Sequence, residues 1–143
     1  MDQMTPTEFV FILQEYLRQS VLMTDPERPT GRILSKRLDN STTEDVVIST
    51  LFLNFNQVQE GLINVNVYIP NLHIKIGDNW DNSQEDTERL FKIEKLITKA
   101  FKAIDDTPGF ALGYSVTLQQ IIKFEDGDFT ALNCRVEVTA PTP

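Results

Sequence analysis

A chain of 143 residues, 41% of them hydrophobic and 24% charged, fits one globular domain able to bury roughly 70% of its unfolded surface in a single core. Thirteen basic against twenty-one acidic residues leave a net charge of −8, which argues against nucleic-acid phosphate or anionic lipid as a bound partner. No apolar run reaches the roughly 18 residues of a membrane span, residues 1–9 lack the layout of a signal peptide, and the single cysteine, Cys134, excludes an internal disulfide; a soluble intracellular chain is expected.

The segment Thr5-Pro6-Thr7-Glu8 is a capping box with proline at the first helical position. Phe9, Ile12, Leu13, Tyr16 and Leu17 follow at helical spacing, and the stripe fades by about Leu22. Residues 24–31, with two prolines and a glycine, predict a loop or extended arm. A short strand is predicted over 32–38, then a longer one from Glu44 onward whose far end alternates Leu51, Leu53 and Phe55 with Phe52, Asn54 and Asn56. With Gly61 read as the turn signal, the return strand runs from Leu62 to Ile69. It sets Ile63, Val65, Val67 and Ile69 on one face and Asn64, Asn66 and Tyr68 on the other, and Pro70 ends it.

Residues 77–88 carry five acids and no base. Asn82 or Ser83 is the expected cap of a second helix, with Glu85, Asp86 and Glu88 in its first turn, where the helix dipole favours anions. Leu90, Ile93, Ile97, Ala100, Phe101 and Ile104 form its buried stripe, Lys95, Lys99 and Lys102 suit its C-terminal pole, and Thr107-Pro108-Gly109 stops it. A second hairpin closes the chain: Tyr114, Val116, Leu118, Ile122 and Phe124 are predicted on one face, an Asp-Gly turn lies within 125–128, and Leu132, Cys134, Val136 and Val138 point inward opposite Asn133, Arg135 and Glu137. Residues 140–143 read as a frayed tail. The whole, residues 1–143, predicts one α+β domain: a two-layer sandwich whose mostly antiparallel sheet of long hairpins carries two amphipathic helices on one face.

Little in the chain suggests chemistry. His73 has no ligand-spaced partner, Cys134 reads as a small core residue, and the acidic stretch lacks the spacing and central glycine of a calcium loop. No catalytic residue, metal or cofactor is therefore expected, and the chain reads as a non-enzyme. Trp80, isolated in a polar segment, either packs on its own domain or anchors in a partner. Arg28, Arg32, Lys36 and Arg37 make a base-rich run, and Asp78, Asp81 and Glu85 belong to an acidic one. Together with Trp80 these residues form the candidate subunit interface, the arm of one copy facing the acidic helix start of the next.

The order of these elements resembles that of the tail terminator, or tail completion, proteins of tailed bacteriophages. The likeness rests on the capped first helix, the long hairpin ending in "INVNVYIPN", the helix "DTERLFKIEKLITKAFKAI" and the closing hairpin "YSVTLQQIIKFEDGDFTALNCRVEV". It implies a hexameric ring that caps the tail tube and joins it to the head or neck. Its partners would then be further copies of itself, the tail-tube and neck or connector proteins, and genomic DNA sliding through an acidic lumen without specific binding. Its place would be the virion's head–tail interface, reached from the host cytoplasm during assembly. A cytoplasmic module that binds a protein or ligand on its exposed sheet face is the alternative reading.

Overall fold

Thr5 opens the first helix as its sequence demands. Its hydroxyl accepts from the Glu8 amide at 3.2 Å while the Glu8 carboxylate accepts from the Thr5 amide at 3.4 Å, and helix α1 (Pro6–Gln19) follows. A single further turn, α2 (Val21–Thr24), ends where the proline-rich segment begins. The computed structural model describes residues 4–107, 113–124 and 127–141.

The remaining elements are β1 (Ile33–Leu34), β2 (Val46–Leu53), β3 (Val58–Pro70), β4 (Leu72–Ile76), β5 (Asn79–Gln84), α3 (Thr87–Lys102) with a 3₁₀ turn (Ala103–Asp106), β6 (Gly113–Lys123) and β7 (Phe129–Pro141). Five strands form one sheet in the order β1-β2-β3-β7-β6, antiparallel except where β1 runs beside β2; β4 and β5 form a separate two-stranded sheet. The α+β two-layer sandwich is thus realised. Ile63, Val65, Val67 and Ile69 of β3 meet Val46 and Ile48 of β2 and Leu132, Cys134, Val136 and Val138 of β7. Above them lie Phe9, Leu13 and Leu17 of α1 and the α3 stripe, in which Leu90, Ile93, Ile97, Ala100, Phe101 and Ile104 are all buried. The Tyr16 hydroxyl donates to the Ala100 carbonyl at 2.7 Å and locks the two helices together.

The alternating strands fold as their pattern requires, and the departures have local causes. Only Ile33 and Leu34 of the 32–38 segment pair as strand, and Arg37 is drawn instead toward Asp45. The first long hairpin turns at 54–57, not at Gly61: the Asn54 amide donates to the Glu60 carbonyl and the Glu60 amide to the Asn54 side chain, both at 2.9 Å. Gly61 sits inside β3 opposite Leu53 and Val138, where an added Cβ would come within 3.2–3.3 Å of both side chains. The glycine serves close packing between strands.

A bulge at Leu51 leaves that side chain in water. A second, at Thr117, inverts the rest of β6. Gln119 and Ile121 therefore pair with the inward Cys134 and Leu132, while Leu118 and Ile122 fall opposite Arg135 and Ala131 on the open face, correcting the single apolar face expected of this strand. Helix α3 is capped by Asp86, whose carboxylate accepts from the Arg89 amide at 3.1 Å, and not by Asn82 or Ser83, which belong to β5. Ala140 is buried in β7, so the chain is paired through Pro141 and does not fray from residue 140. The expected helix stop at Pro108–Gly109, part of the 125–128 turn, and residues 142–143 lie outside the described residues.

Cys134 is fully buried, and burial pushes its thiol from 9.0 up to about 12, against a smaller opposing effect of a hydrogen bond with Gln119. An aromatic disulfide reagent should leave it untouched in native protein and titrate it fully in denaturant. The unfolded thiol ionises above its ordinary value while the native one stays protonated, so this contribution to stability falls as pH rises from about 9 through about 12. Comparison of Cys134→Ala with the parent across alkaline urea titrations should show the fall reduced in the variant.

Candidate functional site

Residues 72–84, of which the sequence singled out Asp78, Trp80 and Asp81, form an exposed hairpin whose first strand was not anticipated. β4 and β5 pair around a two-residue turn in which Gly77 takes φ +61°, the left-handed conformation that favours glycine. The pair springs from the end of β3 and, among the described residues, is fastened at its base. The Asn71 amide donates to the Asp128 carbonyl at 2.7 Å, the Asn71 side chain donates to the Asn82 carbonyl at 2.9 Å, Asn82 also meets the Asp128 carboxylate, and Lys123 pairs with Glu85 at 3.2 Å.

Beyond that base every residue of β4 is exposed, and all of β5 but the half-buried Asp81. Register puts Ile74 and Ile76 on one face with Asp81 and Asn79, and Trp80 on the other beside Lys75, whose ammonium lies 5.9 Å from the indole centroid. Ile76 is 64% and Trp80 66% exposed. The arm therefore carries exposed apolar side chains on both faces, interspersed with polar ones. A solitary two-stranded hairpin is marginal by itself, and exposed apolar side chains grouped in this way mark a contact surface.

The open face of the five-stranded sheet is satisfied from within. Asn133, buried at the centre, donates to Asn66 at 2.6 Å and to Asn64 at 3.3 Å and accepts from Gln120 at 3.1 Å, so the polar residues of β3 form a cross-strand amide ladder. At its end Tyr68 stacks on Phe124 at 6.0 Å, and the Arg37 guanidinium lies 4.8 Å from the Tyr68 centroid and 3.8 Å from that of Phe129. Arg37 also donates to Asp45 at 3.3 Å and to the Ser41 carbonyl at 3.1 Å. Burial pushes the Asp45 carboxyl up, but hydrogen bonds from Ser41, Thr43 and Arg37 outweigh it and hold it below the usual carboxylate range.

The candidate interface residues thus divide. Arg28, Arg32, Lys36, Asp78 and Trp80 are exposed. Arg37 is engaged by Asp45 and two aromatic rings of its own chain, Glu85 pairs with Lys123, and Asp81 accepts from the Ser83 amide at 2.8 Å and hydroxyl at 2.7 Å. The segment 24–31 is not free either. Arg89, in the first turn of α3, donates to the Glu27 and Arg28 carbonyls at 2.8 and 2.9 Å and grips Glu44 through two bonds of 2.6 and 2.7 Å. The arm run and the acidic helix start therefore already touch within one chain, through backbone and through Glu44.

Leu72, Ile74 and Ile76 escaped the sequence reading as site residues, although "IKIGD" is itself an alternating strand entering a Gly-Asp turn. His73 lies exposed on β4. Among the described residues no three His, Cys, Asp or Glu side chains are grouped to hold a metal ion, and no helix is long and apolar enough to cross a membrane. A comparison of the chain with protein-family models gives no match, and a comparison with curated proteins gives none either.

Proposed function

We propose that this chain is a non-enzymatic virion structural protein, a homo-oligomeric ring that terminates a phage tail tube and joins it to the head or neck. The observation that carries the proposal is the β4–β5 arm, whose exposed Ile74, Ile76 and Trp80 call for a protein partner. An arm on one part of the surface that fits a different part of an identical copy makes a heterologous contact, which closes into a ring when the rotation per copy divides the circle. The element order of the phage tail terminators supplies the expected hexamer. The charge of −8 suits a lumen past which DNA slides. The alternative, a cytoplasmic module binding through its open sheet face, draws on the aromatic cluster of Tyr68, Phe124 and Phe129 under Arg37.

Sedimentation velocity over a wide concentration range decides between them. A closed multimer of fixed size is the expected result, seen also as rings by negative-stain imaging. A chain that stays monomeric at every concentration overturns the ring and leaves the binding module ahead.

A further inference from the structure

We propose that the β4–β5 arm of one copy docks in the cleft between α3 and β6 of the next, with Trp80 as the anchor; this inference rests on the ring reading. The cleft, of about 380 Å³, is walled by Thr98, Phe101, Lys102 and Asp105 on the helix side and by Tyr114, Val116 and Gln119 on the strand. It runs into a second, shallower depression of about 420 Å³ past Thr98 and Gln119 to Phe91, itself 54% exposed. β6 is the outermost strand of its sheet, and among the described residues no strand lies on its outer side.

Three observations choose the occupant. The first is charge. Lys95, Lys99 and Lys102 are exposed along the rim, make no ion pair among the described residues and outnumber the Glu94 and Asp105 carboxylates there, whereas the arm presents Asp78 in its turn and Asp81 on β5. The second is chemistry: the arm offers an exposed indole and aliphatic side chains, and the cleft offers Tyr114 and Val116 over the buried Phe101. The third is reach. The arm is rooted at Lys123 and Asp128, while Tyr114 lies nine residues back along β6, or about 30 Å at strand spacing; five residues of β4 span about 17 Å. The arm cannot fill the Tyr114 end of its own cleft, and a second copy can.

The test uses the full chain and three readouts. Trp80 is the only tryptophan, so its emission should shift to the blue as concentration drives assembly. Trp80→Ser combined with Ile76→Thr should raise the concentration needed for assembly roughly thirtyfold or more, the loss expected of an interface hot spot. Lys99→Glu with Lys102→Glu should do the same, and adding Asp78→Lys with Asp81→Lys should restore much of it. Because a charge-reversed chain can also misfold, Asp78→Cys and Lys102→Cys are placed together in a Cys134→Ala background. Mild oxidation should then give a ladder of linked copies that neither single cysteine gives. Rings that form without the ladder and survive the Trp80 and lysine changes overturn the docking while leaving the ring intact. A wild-type chain that remains monomeric at every concentration overturns both.

Discussion

Arg89→Ala is expected to destabilise the fold by about 3–5 kcal/mol, the range for removing one partner of a buried ion pair. Glu44 is almost wholly buried at the foot of β2, and its two oxygens accept from Arg89 Nη2 and Nε. One of them also accepts from the Thr30 amide at 3.1 Å. With the guanidinium gone, Glu44 is left as a buried carboxylate with a single amide donor, and the Glu27 and Arg28 carbonyls lose theirs. The loss therefore falls on two places: global stability, and the tether of residues 25–31 to α3.

Urea titration should register the first, and cleavage after Glu27 by a glutamate-specific endopeptidase in otherwise native protein the second. Arg89→Lys should keep the charge but not the fork, and fall between. The double change Glu44→Leu with Arg89→Met should recover most of the stability, because it leaves no charge stranded. A loss below about 1 kcal/mol for Arg89→Ala would mean that water reaches Glu44 freely, as at an ordinary surface pair.

The second large effect is expected at Phe9. This ring is fully buried in the first turn of α1, in the same core as Leu13, Leu17 and the inward residues of β2 and β3. A helix of 14 residues is marginal in water without its packed face, so α1 depends on these contacts more than on its cap. Phe9→Ala removes the ring and leaves a cavity in the core that it shares with α3 and the sheet; about 3–5 kcal/mol is expected, against a total stability of about 5–15 kcal/mol for a domain of this kind. Thermal unfolding by circular dichroism should move down by about 10 °C or more. Phe11 lies on the same helix but is exposed, and Phe11→Ala should change the monomer by no more than about 0.5 kcal/mol. Equal losses at the two positions would contradict the placement of α1.

How far the sequence foretold this molecule depends on the range over which each feature is decided. The α1 cap is settled within four residues and the α3 stripe within five turns, and both were legible. So was the inward face of β3, where strict alternation admits only one side for the core. The same logic held for Cys134 on β7. Gly61 misled because a glycine that lets two neighbouring strands close in looks the same in sequence as one that turns the chain. The Thr117 bulge was hidden because the apolar pattern of β6 continues through it, and only the register against β7 shows the change of face.

The candidate site was half legible. Trp80 stood out as a residue in search of cover, and it is exposed; the strand that carries it was concealed by asparagine, aspartate and serine, which seldom populate strands. Arg37 read as one more base in an exposed run. Its commitment to Asp45, Tyr68 and Phe129 is decided by a sheet that forms from distant parts of the chain.

The central pairing of β3 with β7 governs how such a chain reaches its native state. Partners such as Ile63 and Val136 stand about half the chain apart, and contacts that distant are closed late and slowly, on the scale of milliseconds to seconds for sheet-rich domains. While the ribosome is still supplying α3 and β6, β3 has only β2 to pair with, and its other edge is bare. Its greasy face would be open to solvent and to neighbouring nascent chains. The amide groups of Asn64 and Asn66 on the opposite face then act before they are structural: they keep one side of the waiting strand hydrated until Asn133 emerges to receive them.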